Sequence, residues 1–443
     1  MSSSTLPREI GLWRGIALNM SEMVGIGPFI TIPLILTAMG GGRSMLAWVL
    51  GGLLAICDGL VTAELASRMP ASGGSYVFLR EAYGPASWGR LLSFLFLFQI
   101  IFSAPLSIAS GCIGFADYLK FALPQMTVNP KIIAVSICIL TTVLLLRRID
   151  SIGRFSIFLW GGVMATLAIV IFAGLPHLRL DAFTFWRAPR LDSAAGFTGL
   201  GLALIYAVYD YLGYYNIANI GDEVKDPART VPRVIVISIL AICVIYITMN
   251  ACIVSVLPMK QAMTSKSIVG DYLTILVGGR VARIVTVLIL WTAFASIFSV
   301  MLGYSRILYA AARDGNFFSI FGRLHPTGAY PIYAVIALGA MACLFCFLPL
   351  KTVLKSILSI RAIIPFMAQI IGAHVLRRTR PDDPVPFRMW LYPIPSIVAL
   401  ALWAYIVVSP EKGFRIGGLV VIAAGTLMFF ATRRFRPAQA IQP

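Results

Sequence analysis

Long apolar runs separated by short polar stretches dominate this chain. A helix needs about 20 apolar residues to cross a bilayer, and about twelve segments reach that length: 15–38, 44–66, 88–117, 130–147, 154–175, 196–220, 234–257, 282–310, 331–349, 353–376, 389–408 and 415–432. The third and eighth are long enough to tilt. Two segments depart from the pattern. The first, GIALNMSEMVGIGPFITIPLIL, carries Asn19, Ser21, Glu22, Gly25, Gly27 and Pro28 at its centre. The sixth contains LIYAVYDYLGYY, where Asp210, Gly213 and the tyrosines Tyr206, Tyr209, Tyr211, Tyr214 and Tyr215 interrupt the apolar run. Polar backbone and ionisable groups persist at membrane depth where they line a protein cavity. The pattern therefore predicts two broken helices around an internal site.

Composition agrees. Charged residues make up 12% and hydrophobic residues 59%, against roughly 25% charged in soluble domains. The chain reads as an all-α polytopic membrane protein. Its net charge of +18 lies mostly between apolar runs, which points to membrane topology and not to nucleic acid. An even span number places both termini on one side. That side receives the larger share of the Lys and Arg, so it is expected to be cytoplasmic in a cell membrane. The seven cysteines all fall within apolar runs. They read as packing residues, the Cys343–Cys346 pair included, and no loop cysteine offers a disulfide to a partner subunit. His177, His325 and His374 are scattered, so the pattern calls for no metal and no cofactor. No nucleophile–base constellation suggests an enzyme, and no filter loop suggests a channel.

The broken spans occupy matching places in two five-span halves, as in inverted-repeat transporters. A helix broken at mid-membrane presents free N–H groups at one new end and free carbonyls at the other. That pair suits a zwitterion. A carboxylate would lie on the Gly25-Ile26-Gly27 backbone, where missing Cβ atoms allow close approach. An ammonium would lie among the exposed carbonyls. Glu22 and Asp210 are candidates for a proton relay or for counter-charges to a cationic substrate. Asp58 and Arg361 are weaker intramembrane candidates, free to pair with each other or with the site acids. Glu64 and Asp117 fall near span ends, where an interfacial place is expected. Ser103, Ser296 and Ser299 read as helix-packing residues, with a sodium site or side-chain pocket as the alternative.

Five blocks carry a family resemblance: GIGPFITIP in the first span, AELASRMPASGGSYVFLREAYGP at 63–85, DEVKDPARTVPR at 222–233, SRILYAAARDGNFFSIFGRLHPTGAYP at 305–331 and PFRMWLYPIP at 386–395. In that order they resemble the amino acid–polyamine–organocation (APC) permeases over almost the whole chain. The resemblance implies a LeuT-like 5+5 inverted repeat plus two C-terminal helices, about 12 in all by span length. It places a cytoplasmic tail at 1–14, a ten-helix core at 15–376 (halves at about 15–175 and 196–376) and two further helices with a cytoplasmic tail at 377–443. It implies secondary transport of a small amino acid by alternating access, with Gly25, Ile26 and Gly27 holding the carboxylate. Met23, Tyr209 and Leu212 would offer carbonyls to the amine beside Gly213, and Tyr209 would gate the site. The expected partners are a small-molecule substrate, a proton and the lipid bilayer. Two departures stand out. Proton-coupled members carry a lysine in the fifth span, and 155–174 has none. Glu22 and Asp210 replace small residues, and an acid beside the first-span break with the Gly27-Pro28-Phe29 sequence is reminiscent of polyamine-transporting members.

Overall fold

The computed structural model describes residues 8, 10–41, 43–71, 73–146, 152–179, 194–315, 317–325 and 330–433. Most of the tail expected at 1–14 and the end of the tail expected after the last helix lie outside these residues. The described elements are helices, with an isolated bridge between Ile10 and Val224.

The first apolar segment forms α1 (Leu12–Met23) and α2 (Gly27–Met39), bent by 45° across the gap. Gly25 and Gly27 loosen the chain, and Pro28 restarts the helix at its first turn, where its missing N–H costs nothing. The sixth segment forms α8 (Ala194–Tyr211), then a turn, then the short α9 (Asn216–Asn219). Gly213 makes that turn at φ +112°, a conformation that side chains other than glycine rarely adopt.

Around these breaks run α3 (Ser44–Arg68), α4 (Ser75–Ala82), α5 (Gly89–Ala122), α6 (Pro130–Leu145), α7 (Ile152–Gly174) and α10 (Pro227–Val256). Then follow α11 (Met259–Thr264), α12 (Ile268–Val277), α13 (Gly279–Arg313), α14 (Ile332–Phe345) and α15 (Leu350–Arg361). A π-helical stretch, Ala362–Ala368, joins α15 to α16 (Gln369–Thr379). Pro365 lies inside it, and its lack of an N–H suits the looser spacing. The chain ends with α17 (Ile394–Val408) and α18 (Lys412–Arg433).

Among the described residues, seven helices are long and apolar enough to span a membrane, and the bent α1–α2 pair makes an eighth. Four shorter apolar helices (α6, α12, α14 and α17) accompany them. The polytopic all-helical membrane architecture follows. Helix α2 packs on α8, α3 on α8, α10 and α17, and α13 on α5 and α7. The broken helices thus sit inside a shell whose outer faces expose apolar side chains such as Ile139, Val244 and Ile284, as a lipid boundary requires. Three elements had no counterpart in the apolar pattern: α4, α11 and α12 are too short or too polar to register as spans.

Candidate functional site

The two breaks cross. A Cβ placed on Gly213 would lie 3.0 Å from the Met23 nitrogen and 3.1 Å from Glu22, so the second break rests on the backbone of the first. Asn19 fastens them. Its amide nitrogen donates to the Tyr214 carbonyl at 2.9 Å, and its oxygen accepts the Ile217 N–H at 3.2 Å. From α10, the Tyr246 hydroxyl lies 2.7 Å from the Met23 carbonyl and 3.3 Å from that of Asp210.

A small cavity opens at the crossing. Glu22, Met23, Gly25, Ile26, Gly27, Tyr209, Asp210, Leu212, Gly213 and Arg361 all line it. Every expected binding residue is therefore brought together, with both expected acids and the arginine. The far wall comes from elsewhere: Ser107 and Gly111 on α5, and Ser296, Val300 and Tyr304 on α13. Ser296 takes the pocket place that was the alternative to helix packing, while Val300 and Tyr304 carried no signal. In an unbroken apolar run, only the helical partner reveals which face turns inward.

The glycines are set by contact. A Cβ on Gly25 would come 2.3 Å from Ser296 Oγ, and one on Gly27 would come 2.3 Å from Asp210 Oδ1. Both distances are impossible, so the first break approaches its neighbours through bare backbone.

The acids differ in their surroundings. Asp210 is 2% exposed. Its Oδ2 accepts the Thr31 hydroxyl of α2 at 2.5 Å, while its Oδ1 has no hydrogen-bond partner among the described residues. Glu22 is half-buried, and its Oε2 likewise has none. Buried acceptors without donors cost about 1–3 kcal/mol each, so these two oxygens mark where a proton or a donating ligand would be stabilised.

Arg361, the weaker intramembrane candidate, is 4% exposed. It donates to the Tyr215 hydroxyl at 2.8 Å. Its guanidinium lies 5.7 Å from the Tyr215 ring centre and 5.4 Å from that of Tyr304. Cation–π contact thus occurs at the site, but with a cation the protein supplies. Tyr209 turns its hydroxyl to Ser110 at 2.6 Å.

Asp58 does not reach the cavity and does not pair with Arg361. It is fully buried behind the second break, accepting Tyr214 Oη at 2.5 Å and Trp403 Nε1 at 3.2 Å. Glu64 lies near the end of α3, as its place in the span suggested, but faces the protein interior. It is 1% exposed, paired with Arg377 of α16, and it accepts the Met389 N–H at 2.8 Å. Among the described residues no cluster of three or more His, Cys, Asp or Glu could hold a metal ion.

A family model described as "Amino acid permease" matches residues 10–431. The "Serine/threonine exchanger SteT" of Bacillus subtilis (strain 168) is 25% identical over 405 residues, covering 89% of this chain and 89% of the relative. The human "Cystine/glutamate transporter" is 25% identical over 410 residues, covering 90% and 81%. The mouse "b(0,+)-type amino acid transporter 1" is 26% identical over 412 residues, covering 90% and 82%.

Proposed function

Since this chain belongs to the amino acid permease family, whose members are transporters and not enzymes, we propose that it carries a small amino acid across the cell membrane by alternating access. The crossing of the two breaks carries this reading. It sets the Gly25–Gly27 backbone and the start of α2 against the end of α8 within one cavity. The substrate carboxylate takes the first, where N–H groups and the helix dipole favour an anion. The ammonium takes the carbonyls of Tyr209 and Leu212, with Met23 sharing its second lone pair. Tyr209 covers the substrate. A LeuT-like arrangement of twelve spans, with both termini cytoplasmic, places this site near mid-membrane and lets the two halves rock about it.

One observation favours a second reading. The partnerless oxygens of Glu22 and Asp210 suit an amine-rich substrate, a polyamine or a cationic amino acid. Arg361 in the same cavity opposes a dication.

Purified protein in a thermal-shift panel of amino acids and amines separates the two, because a specific ligand raises apparent stability by mass action. Uptake and counterflow of the binders in proteoliposomes then test transport. Amino acid counterflow is expected. Putrescine or arginine binding without any neutral amino acid would replace the first reading with the second. Silence in counterflow with every binder would remove transport altogether.

A further inference from the structure

We propose that Asp210 and the substrate carboxylate share one anion site, so that an amino acid enters together with a proton held on Asp210. The inference rests on the amino acid reading above and adds the coupling partner.

The geometry is specific. Oδ1 of Asp210 lies against Gly27: a Cβ there would come within 2.3 Å of it. Gly27 is the first residue of α2 and part of the backbone proposed for the substrate carboxylate. Oδ2 is fixed to Thr31, one turn further along the same helix. The protein's own carboxyl therefore borders the start of α2. A substrate carboxylate arriving there meets Asp210, itself almost fully buried, at close contact. Two carboxyl groups in such contact do not both ionise; they share a proton.

The surroundings leave this to the proton. From α2, Asp210 meets Thr31. From α10, Tyr246 donates to its backbone carbonyl and not to its carboxyl. On its own helix it is flanked by Tyr209 and Tyr211. Across the cavity stand Glu22 on α1 and Arg361 at the end of α15, and the arginine is held by Tyr215 and lies over Tyr304. With the proton on Asp210, the carboxyl can donate from Oδ1 to the substrate carboxylate. That supplies the partner this oxygen lacks, and no bond is made or broken elsewhere. Loading is then electrically matched: the zwitterion adds no net charge, and the transported proton neutralises Asp210.

The test uses the tightest binder from a panel of standard L-amino acids, paired with its own decarboxylated amine. For the wild-type protein, amino acid affinity should fall about tenfold per pH unit once Asp210 ionises, and an inward proton gradient should drive accumulation in proteoliposomes. The amine has no carboxylate to clash, so its binding should not weaken with rising pH. Asp210→Asn, which mimics the protonated acid, should bind the amino acid more tightly than wild type at alkaline pH, with the pH slope gone. A purely structural role for Asp210 predicts weaker binding instead. Amino acid affinity indifferent to pH in the wild type, or an amine that loses affinity with pH as the amino acid does, overturns the proposal while leaving amino acid transport standing. If no amino acid binds, the parent reading fails with it. The wild-type comparison stands even if the variant does not fold.

Discussion

The Tyr246 hydroxyl lies 2.7 Å from the Met23 carbonyl and also reaches the Asp210 carbonyl, so a single side chain of α10 serves a freed carbonyl at each break. Tyr246→Phe removes the donor and keeps the ring, which packs edge-on against Trp48. Loss of a buried hydrogen bond costs about 1–2 kcal/mol. Substrate affinity is expected to fall roughly tenfold with little change in expression. Affinity measured by thermal shift checks this; binding equal to wild type would show that the breaks hold their shape without the tyrosine.

Gly25 and Ser296 form a second testable pair. Gly25→Ala places a Cβ 2.3 Å from Ser296 Oγ and 3.0 Å from its Cβ, and uptake should drop by more than about tenfold, beyond the roughly 1 kcal/mol of a mild backbone change. Ser296→Gly clears both atoms. The double variant G25A/S296G is expected to recover most of the lost uptake, a coupling that a double-mutant cycle reads directly. Additive losses would place the defect elsewhere.

Arg361 faces two tyrosine rings and offers a planar fork to Tyr215. Lysine keeps the charge but not that geometry. Arg361→Lys should therefore reduce uptake by about tenfold, the order expected for losing a desolvated cation–π contact. Arg361→Gln should reduce it further because Glu22 then stands in the cavity without a cation. Rates for both variants in proteoliposomes provide the check, and equal activity of lysine and arginine would contradict it.

Glu64 and Arg377 tie the end of α3 to α16, and Glu64 also holds the Met389 N–H. Removing Glu64 leaves the Met389 N–H without its acceptor and the partly exposed Arg377 without its partner. Glu64→Ala is expected to destabilise the protein by about 1–3 kcal/mol, seen as a lower unfolding temperature in detergent. Substrate affinity per folded molecule should be unaffected, since the pair lies outside the cavity.

The broken helices were legible because glycine, proline and acids have few uses inside an apolar run. Gly25, Ile26, Gly27 and Gly213 could be named for that reason; Met23, Tyr209 and Leu212 came from the family resemblance, and all seven line the cavity. Ser107, Gly111, Val300 and Tyr304 could not, since a serine or glycine in an intact span serves helix packing equally well. Asp58 shows the converse limit. An acid in an apolar run signals a polar environment, but hydrophobic pattern does not say whose. Here Tyr214 and Trp403 supply it, from segments more than 150 residues away in sequence. Arg361 was ambiguous because a span's edge is uncertain by about a turn, and only the packing of α15 shows that it is buried.

Trp403 brings the last two helices into the account. Its indole N–H donates to Asp58, and its ring stacks on Phe366 at 4.2 Å, five residues beyond Arg361 in the π-helical stretch. Chain order sets α17 apart, near the end of the described residues. Its tryptophan nonetheless closes the shell of a carboxyl that grips the second break. A protein truncated after α16 would leave that carboxyl without its indole donor and Phe366, close to Arg361, without its stacking partner. A helix that follows the second break by nearly two hundred residues is thus a keystone in that break's support.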